Sequence, residues 1–347
     1  MKNLMFLPIT SNICQFVEYS GGLFNGMNLY GIDFSDKLEE VCEKIVISNS
    51  MKELSVDSGL VLLTIEDDIC EEETINIFKE IELAIRKGLI IKASKGSKKV
   101  LEKHGIKSNL ITYVEDMDID IDEEKCYKIN TPIVCIGGVG DYIDQFKVEL
   151  QCRDGLINQG VNFFQIGSSK LSDFFGMCSI PEFIWNDGID IETKTRKFNH
   201  FIKMIEFEYS PEIIVIGLPS NLIAFNEKCG GDFGVIGFLL TATLNIDVSV
   251  LNLPDRLIDS EDLGDLTRML DSRFGINPEI YVLSKKIIDF EETKEYGNLK
   301  FIDLDDDELE YIERCNENIV YLENNVGYIL SRKIIRHLEK FGVIEFV

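Results

Sequence analysis

The chain has 347 residues, 45% of them hydrophobic and 28% charged, ordinary proportions for a globular protein. Its formal net charge of −26 repels phosphate backbones and anionic lipid, which argues against nucleic-acid or membrane-surface binding and favours a basic partner. No stretch of about 18 consecutive apolar residues occurs, so no membrane span is expected.

Met1-Lys-Asn-Leu-Met-Phe-Leu-Pro-Ile9 is too short an apolar run for an export signal and reads as a first strand, Leu4 to Ile9. Further strands are expected at Leu29–Asp33, Lys44–Ser48, Gly59–Ile65, Leu89–Ala93 and Leu110–Val114. The continuous apolar run Gly59–Ile65 suits a strand covered on both faces. Ile75, Phe78, Ile81 and Ile85 recur at helical spacing within Glu71–Lys87, and Gly88 follows as a stop. A helix is also expected near Ser97–His104. Alternating strands and helices imply a parallel, doubly wound, Rossmann-like domain over residues 1–115. The loop Tyr19–Met27 is glycine-rich but lacks a dinucleotide fingerprint and reads as a connection.

Residues 116–130 alternate acids with Ile and Met and read as a solvated acidic linker. They lack the mid-loop glycine and later oxygen ligands of a calcium loop. A second α/β domain is expected over residues 131–347. Its strands fall at Ile133–Ile136, Val161–Ile166, Glu212–Gly217, Val248–Leu253, Glu279–Leu283, Lys300–Leu304 and Ile319–Leu322. Helices are expected at Asp144–Gln159, within Phe183–Ile205, at Phe233–Ala242, within Leu257–Phe274, at Asp307–Cys315 and at Val326–Phe341, with Val343–Val347 closing the sheet. Nine cysteines without a Cys-x-x-Cys pair suit reduced thiols in the cytosol, and the three histidines show no metal or triad spacing.

The chemistry-bearing stretch is Thr131 to Leu150: an apolar strand, a glycine turn, then a helix. That layout converges backbone N–H groups and a helix N-terminus on an anion. Gly137, Gly138 and Gly140 supply a phosphate-sized nest. On the P-loop frame G-x-x-x-x-G-K-[ST], however, Asp144 stands at the last glycine, Gln145 at the lysine and Phe146 at the hydroxyl residue. Gln145 carries no charge, Phe146 cannot bind magnesium, and Lys147 comes two places late. The strand Glu212–Gly217 ends without a carboxylate for magnesium. Gly167 and Ser168 follow another strand, at the sheet end where open α/β sheets bind ligands. The cofactor compatible with this set is ATP or GTP with Mg²⁺, or none. A fold relic, a nucleotide binder without fast hydrolysis and a working NTPase all stay open.

The chain resembles a bacterial family of peptide maturation system proteins, encoded beside a radical SAM enzyme and a ribosomally made precursor peptide. The resemblance lies in Cys135-Ile-Gly-Gly-Val-Gly-Asp-Tyr-Ile-Asp-Gln-Phe-Lys-Val-Glu-Leu150, Phe164-Gln-Ile-Gly-Ser-Ser169, Ser179-Ile-Pro-Glu-Phe183, Pro211-Glu-Ile-Ile-Val-Ile-Gly-Leu-Pro219, Asp232-Phe-Gly-Val235 and Leu338-Glu-Lys-Phe-Gly-Val343. The family pattern after the strand is near G-T-G-x-x-x-D-K-F; Asp144 and Phe146 fit it, and Gln145 replaces the lysine. The resemblance implies a cytoplasmic accessory protein whose partners are the precursor peptide, the radical SAM enzyme or both. Self-association is compatible with the sequence. The rival expectations are a nucleotide-dependent enzyme acting on a peptide, with Gly138, Gly140, Gln145 and Lys147 at the phosphates, and a non-catalytic scaffold with a relic P-loop.

Overall fold

The structure is a computed structural model that describes residues 2–34, 38, 43–65, 71–117, 125–138, 144–219, 222, 234–255, 260–296, 300–304, 318–323 and 325–340. It divides into two compact units. The first comprises Met1–Asp116 with Lys170–Ser179, and the second Met117–Ser169 with Ile180–Val347.

In the first unit the elements run β1 (Lys2–Leu7), α1 (Ser11–Tyr19), β2 (Met27–Ile32), β3 (Val46–Ser48), β4 (Leu60–Leu63), α2 (Glu71–Arg86), β5 (Ile90–Ala93), α3 (Lys95–Lys103) and β6 (Ile111–Tyr113). The six strands pair in parallel in the order β3-β2-β1-β4-β5-β6. This is the doubly wound order of a Rossmann-like sheet. Helix α1 was not anticipated by periodicity. Its marker is Thr10, whose hydroxyl accepts from the Ile13 N–H, while Ile13, Cys14, Phe16 and Val17 are buried. Leu7, Ile32, Leu63, Ile81, Ile91 and Leu101 are among the core residues. Phe175, from the late Lys170–Ser179 segment, packs with Phe6, Phe16 and Phe24. Tyr19–Met27 joins a helix to a strand, at the N-terminal edge of the sheet and opposite the usual ligand side.

In the second unit the elements run β7 (Ile133–Gly138), α4 (Asp144–Asn158), β8 (Phe163–Gly167), the two-residue β9 (Cys178–Ser179) of the first unit's late segment, then α5 (Ile191–Tyr209), β10 (Ile213–Gly217), α6 (Val235–Thr241) and β11 (Val248–Pro254). They continue with α7 (Ser260–Phe274), β12 (Ile280–Ser284), β13 (Lys286–Ile288), α8 (Phe290–Tyr296), β14 (Phe301–Asp303), β15 (Ile319–Tyr321) and α9 (Val326–Lys340). The parallel sheet has the order β15-β12-β11-β7-β10-β8. Strands β7, β10, β11 and β12 are buried along their whole length, which is why their sequences run apolar without alternation.

The strand expected at Lys300–Leu304 forms as β14 and pairs antiparallel with β13, apart from the parallel sheet. One expectation needs correction: the thiols are not all reduced, since Cys14 is disulfide-bonded, whereas Cys126, Cys135, Cys152 and Cys178 are free. The expected helix at Asp307–Cys315 and strand at Val343–Val347 lie outside the described residues, as do residues 118–124 of the acidic segment.

Residues 125–130 of that segment are held by α5. Asn199 accepts from the Tyr127 N–H at 2.6 Å and donates to its carbonyl at 3.0 Å. The Glu206 carboxylate accepts from the N–H groups of Asn130 and Thr131. One ring nitrogen of His200 lies 2.9 Å from the Lys125 carbonyl oxygen.

Candidate functional site

The second sheet contains a topological switch. From β7 the chain leaves toward β8, on one side; from β10, which lies between them, it crosses back to β11 on the other. Divergent connections open a crevice at the carboxyl ends of β7 and β10, the place where open α/β sheets take ligands. Gly137 and Gly138 end β7, Gly217 and Leu218 end β10, Gly167 and Ser168 end β8, and α4 starts above them.

Close approach explains the glycines. A Cβ on Gly138 would meet the Gln145 Oε1 at 2.8 Å, and one on Gly137 would meet Leu222 at 2.6 Å. A Cβ on Gly217 would fall within 2.4–2.6 Å of the Glu149 carboxyl. The glycines of β7 and β10 thus admit side chains from α4 and from the segment after β10 into the strand ends. Gly140 lies outside the described residues, so the nest expected there is not placed.

Gln145, at the lysine position of the P-loop frame, turns inward. Its Nε2 donates to the Leu218 carbonyl and to the Glu149 carboxylate, the latter at 3.2 Å. Glu149 also accepts from the Ser168 N–H at 2.9 Å. Gln145, Gly217 and Ser168 therefore meet at one carboxyl group, and Gly138 lies against the Gln145 amide. Glu149 has no exposed surface, and burial pushes its carboxyl up to about 7, against the opposing pull of hydrogen bonds from Ser168 and Gln145. Sequence reasoning missed Glu149. The signals were its i,i+4 spacing from Gln145 and a glycine ending the neighbouring strand.

Asp144 and Lys147 form a separate pair. The Lys147 ammonium lies 2.8 Å from the Asp144 Oδ1, and Lys286 of β13 approaches the same oxygen at 3.8 Å. Both Asp144 and Lys147 are buried. A carboxylate in the first turn of α4 also meets the positive end of the helix dipole. Lys147, placed at the phosphates in the rival enzyme reading, lies against Asp144. Phe146 is buried and offers no oxygen to a cation. A buried carboxylate that sequence reasoning did not single out, Asp255, follows β11 and donates its N–H to the Lys286 carbonyl at 2.7 Å.

Asn252 of β11, in register with Gly138, donates to the Val282 carbonyl and the Ser284 hydroxyl. Gln165 of β8 donates to the Glu149 backbone carbonyl at 3.0 Å. The Asn252 Oδ1 and Gln165 Oε1 are buried without a hydrogen-bond partner among the described residues. The strand ends are therefore rich in acceptors. A triphosphate with Mg²⁺ asks for the opposite, a cation at the phosphates and a hydroxyl at the metal, and these residues do not fit it. The arrangement can exchange a proton near neutral pH and hold two strand ends to one helix. Among the described residues no cluster of three or more His, Cys, Asp or Glu side chains could hold a metal ion, and no helix is long and apolar enough to cross a membrane.

Fold and crevice together define an α/β protein of two doubly wound units, the second with a glycine-ended strand and a helix at its switch point. The architecture is similar to the crystal structure of a DUF1611 family protein from Anabaena variabilis ATCC 29413. The TM-score is 0.54 at 10% identity, over 82% of this chain and 88% of that one. At that identity the likeness is one of fold. No family model and no curated protein matches the chain.

Proposed function

We propose that the chain is a cytoplasmic accessory protein in the maturation of a ribosomally synthesised peptide, binding the precursor, a radical SAM enzyme or both, and that its switch-point crevice does not run fast nucleotide hydrolysis. The observation that supports the non-hydrolytic part is the placement of Gln145, whose amide already bridges Leu218 and Glu149 where a P-loop lysine would reach phosphate. Glu149 adds a carboxyl beside it, and Lys147 is paired with Asp144. The peptide-maturation part rests on the motif resemblance at Cys135–Leu150 and the later stretches. The net charge of −26 favours a basic face on the partner.

Titration with ATP and GTP at millimolar concentration, with and without Mg²⁺, tests the first part. No turnover is expected; hydrolysis that disappears in Gln145→Ala would overturn it. A slow nucleotide switch would require Gln145 to release the Leu218 carbonyl, and would appear as Mg²⁺-dependent binding without turnover. Retention of the precursor or the radical SAM enzyme on the immobilised protein tests the second part. If neither is retained, the partner reading fails.

A further inference from the structure

The charge of the chain is unevenly placed. Between Arg86 and Lys107 stand eight basic residues against one acid, Glu102, a net of +7 that leaves −33 for the rest. This stretch spans the end of α2, β5, α3 and the turn before β6. Within α3, Lys95, Lys99 and Lys103 recur every fourth residue and so share one side of the helix. Like charges at that spacing each cost a helix a few tenths of a kcal/mol. The helix is nonetheless firmly seated: Ser94 caps it, and Ser97 and Leu101 have no exposed surface.

We propose that Lys99, Lys103 and Lys107 form a docking surface for an acidic polypeptide segment of a partner protein. All three are exposed. The same helix already takes one carboxylate, since the Lys95 ammonium lies 2.5 Å from the Asp116 Oδ1, and Lys98 lies over the Tyr113 ring. Charge complementarity selects the occupant. A long nucleic acid or an anionic membrane would extend past the patch into the field of the remaining −33. A second copy joined by a two-fold axis through the patch would set these lysines against the same lysines of its partner. A short acidic segment meets only the patch. This inference concerns the first unit and stands whether or not the partner is a precursor peptide.

The test is fluorescence anisotropy with a labelled glutamate peptide of about ten residues, longer than the ~13 Å of α3. The whole chain is expected to bind it at low salt and to lose affinity as salt is raised. Lys99→Glu, Lys103→Glu and Lys107→Glu together should weaken binding at least about tenfold. The control set Lys128→Glu, Lys294→Glu and Lys340→Glu should leave it nearly unchanged. No binding, equal loss in both sets, or tighter binding of a single-stranded oligonucleotide or a phosphatidylserine vesicle would overturn the proposal. So would binding seen only after Asp118→Asn, Asp120→Asn and Asp122→Asn, because the chain's own acidic segment would then be the occupant.

Discussion

Glu149 joins two strand ends to one helix through a carboxyl that water does not reach. Its oxygens accept from Gln145 and Ser168, and Gly217 leaves room for them. Burial raises its pKa from 4.5 to about 7 in the folded chain. A raised folded value means that the native state holds the proton more tightly than the unfolded state. The stabilisation is complete below about pH 4.5, falls as pH rises toward about 7, and is gone above it. Glu149→Gln keeps the shape and removes the titration. Urea unfolding at pH 5 and pH 8 should show the native chain losing about 2.5 kcal/mol relative to the variant over that interval. Parallel profiles would mean that the carboxyl is not desolvated as described. In the buried Asp144–Lys147 pair each charge has the other at 2.8 Å, and removing one partner strands the other.

At the scale of elements, the crossing of α4 and α9 accounts for the burial of α4. Gly155 and Gly327 bring the backbones together: a Cβ on Gly155 would lie 2.0 Å from the Gly327 carbonyl oxygen, and one on Gly327 would lie 2.3 Å from that of Gln151. Polar bonds fix the register, with the Gly327 N–H donating to the Gln151 Oε1 at 3.1 Å and the Gln159 amide donating to the Ser331 hydroxyl. Val326, Leu330, Ile334 and Leu338 supply the apolar stripe of α9. One substitution should therefore have opposite signs at two helical glycines. Gly155→Ala must push two backbones apart and should cost about 1–3 kcal/mol or more. Gly264→Ala in α7 meets nothing within 4 Å and should gain up to about 1 kcal/mol from helix propensity. Thermal unfolding of the two variants checks the contrast, and equal shifts would refute the close crossing.

For the whole molecule, the dominant quantity is charge. A net of −26 keeps copies apart and strains the compact state by self-repulsion. Raising salt from about 10 mM to about 500 mM shortens the Debye length from about 30 Å to a few ångström and should raise the melting temperature. A flat or falling melting temperature would show that paired charges, such as Lys203–Glu206 and Arg86–Glu82, outweigh the repulsion. The same charge has two faces for binding: an acidic majority suited to a basic partner, and the α3 stripe suited to an acidic one.

Much of the architecture is legible in the residues, because local rules carry it. Continuous apolar runs such as Ile213–Gly217 mark strands buried on both faces, and the spacing of Ile75, Phe78, Ile81 and Ile85 marks the helix α2, although its buried face runs through Ile77, Ile81 and Ala84 and leaves Ile75 exposed. The degenerate glycine turn is likewise readable: Gln145 and Phe146 stand where a P-loop has its lysine and its metal-binding hydroxyl. Strand order is not local. That β10 inserts between β7 and β8 depends on which crossover packs its helix best, and only this insertion brings Gly217 and Ser168 to Glu149. The approach of Lys286 to Asp144, the seating of Phe175 among Phe6, Phe16 and Phe24, and the antiparallel turn of β14 onto β13 join residues apart in sequence. Their energies come from desolvation and close packing, which exist only once the chain has folded. The sequence by itself therefore determined the element types and the absence of a P-loop lysine. The tertiary structure decided that a buried glutamate and a bridging glutamine stand at the switch point instead.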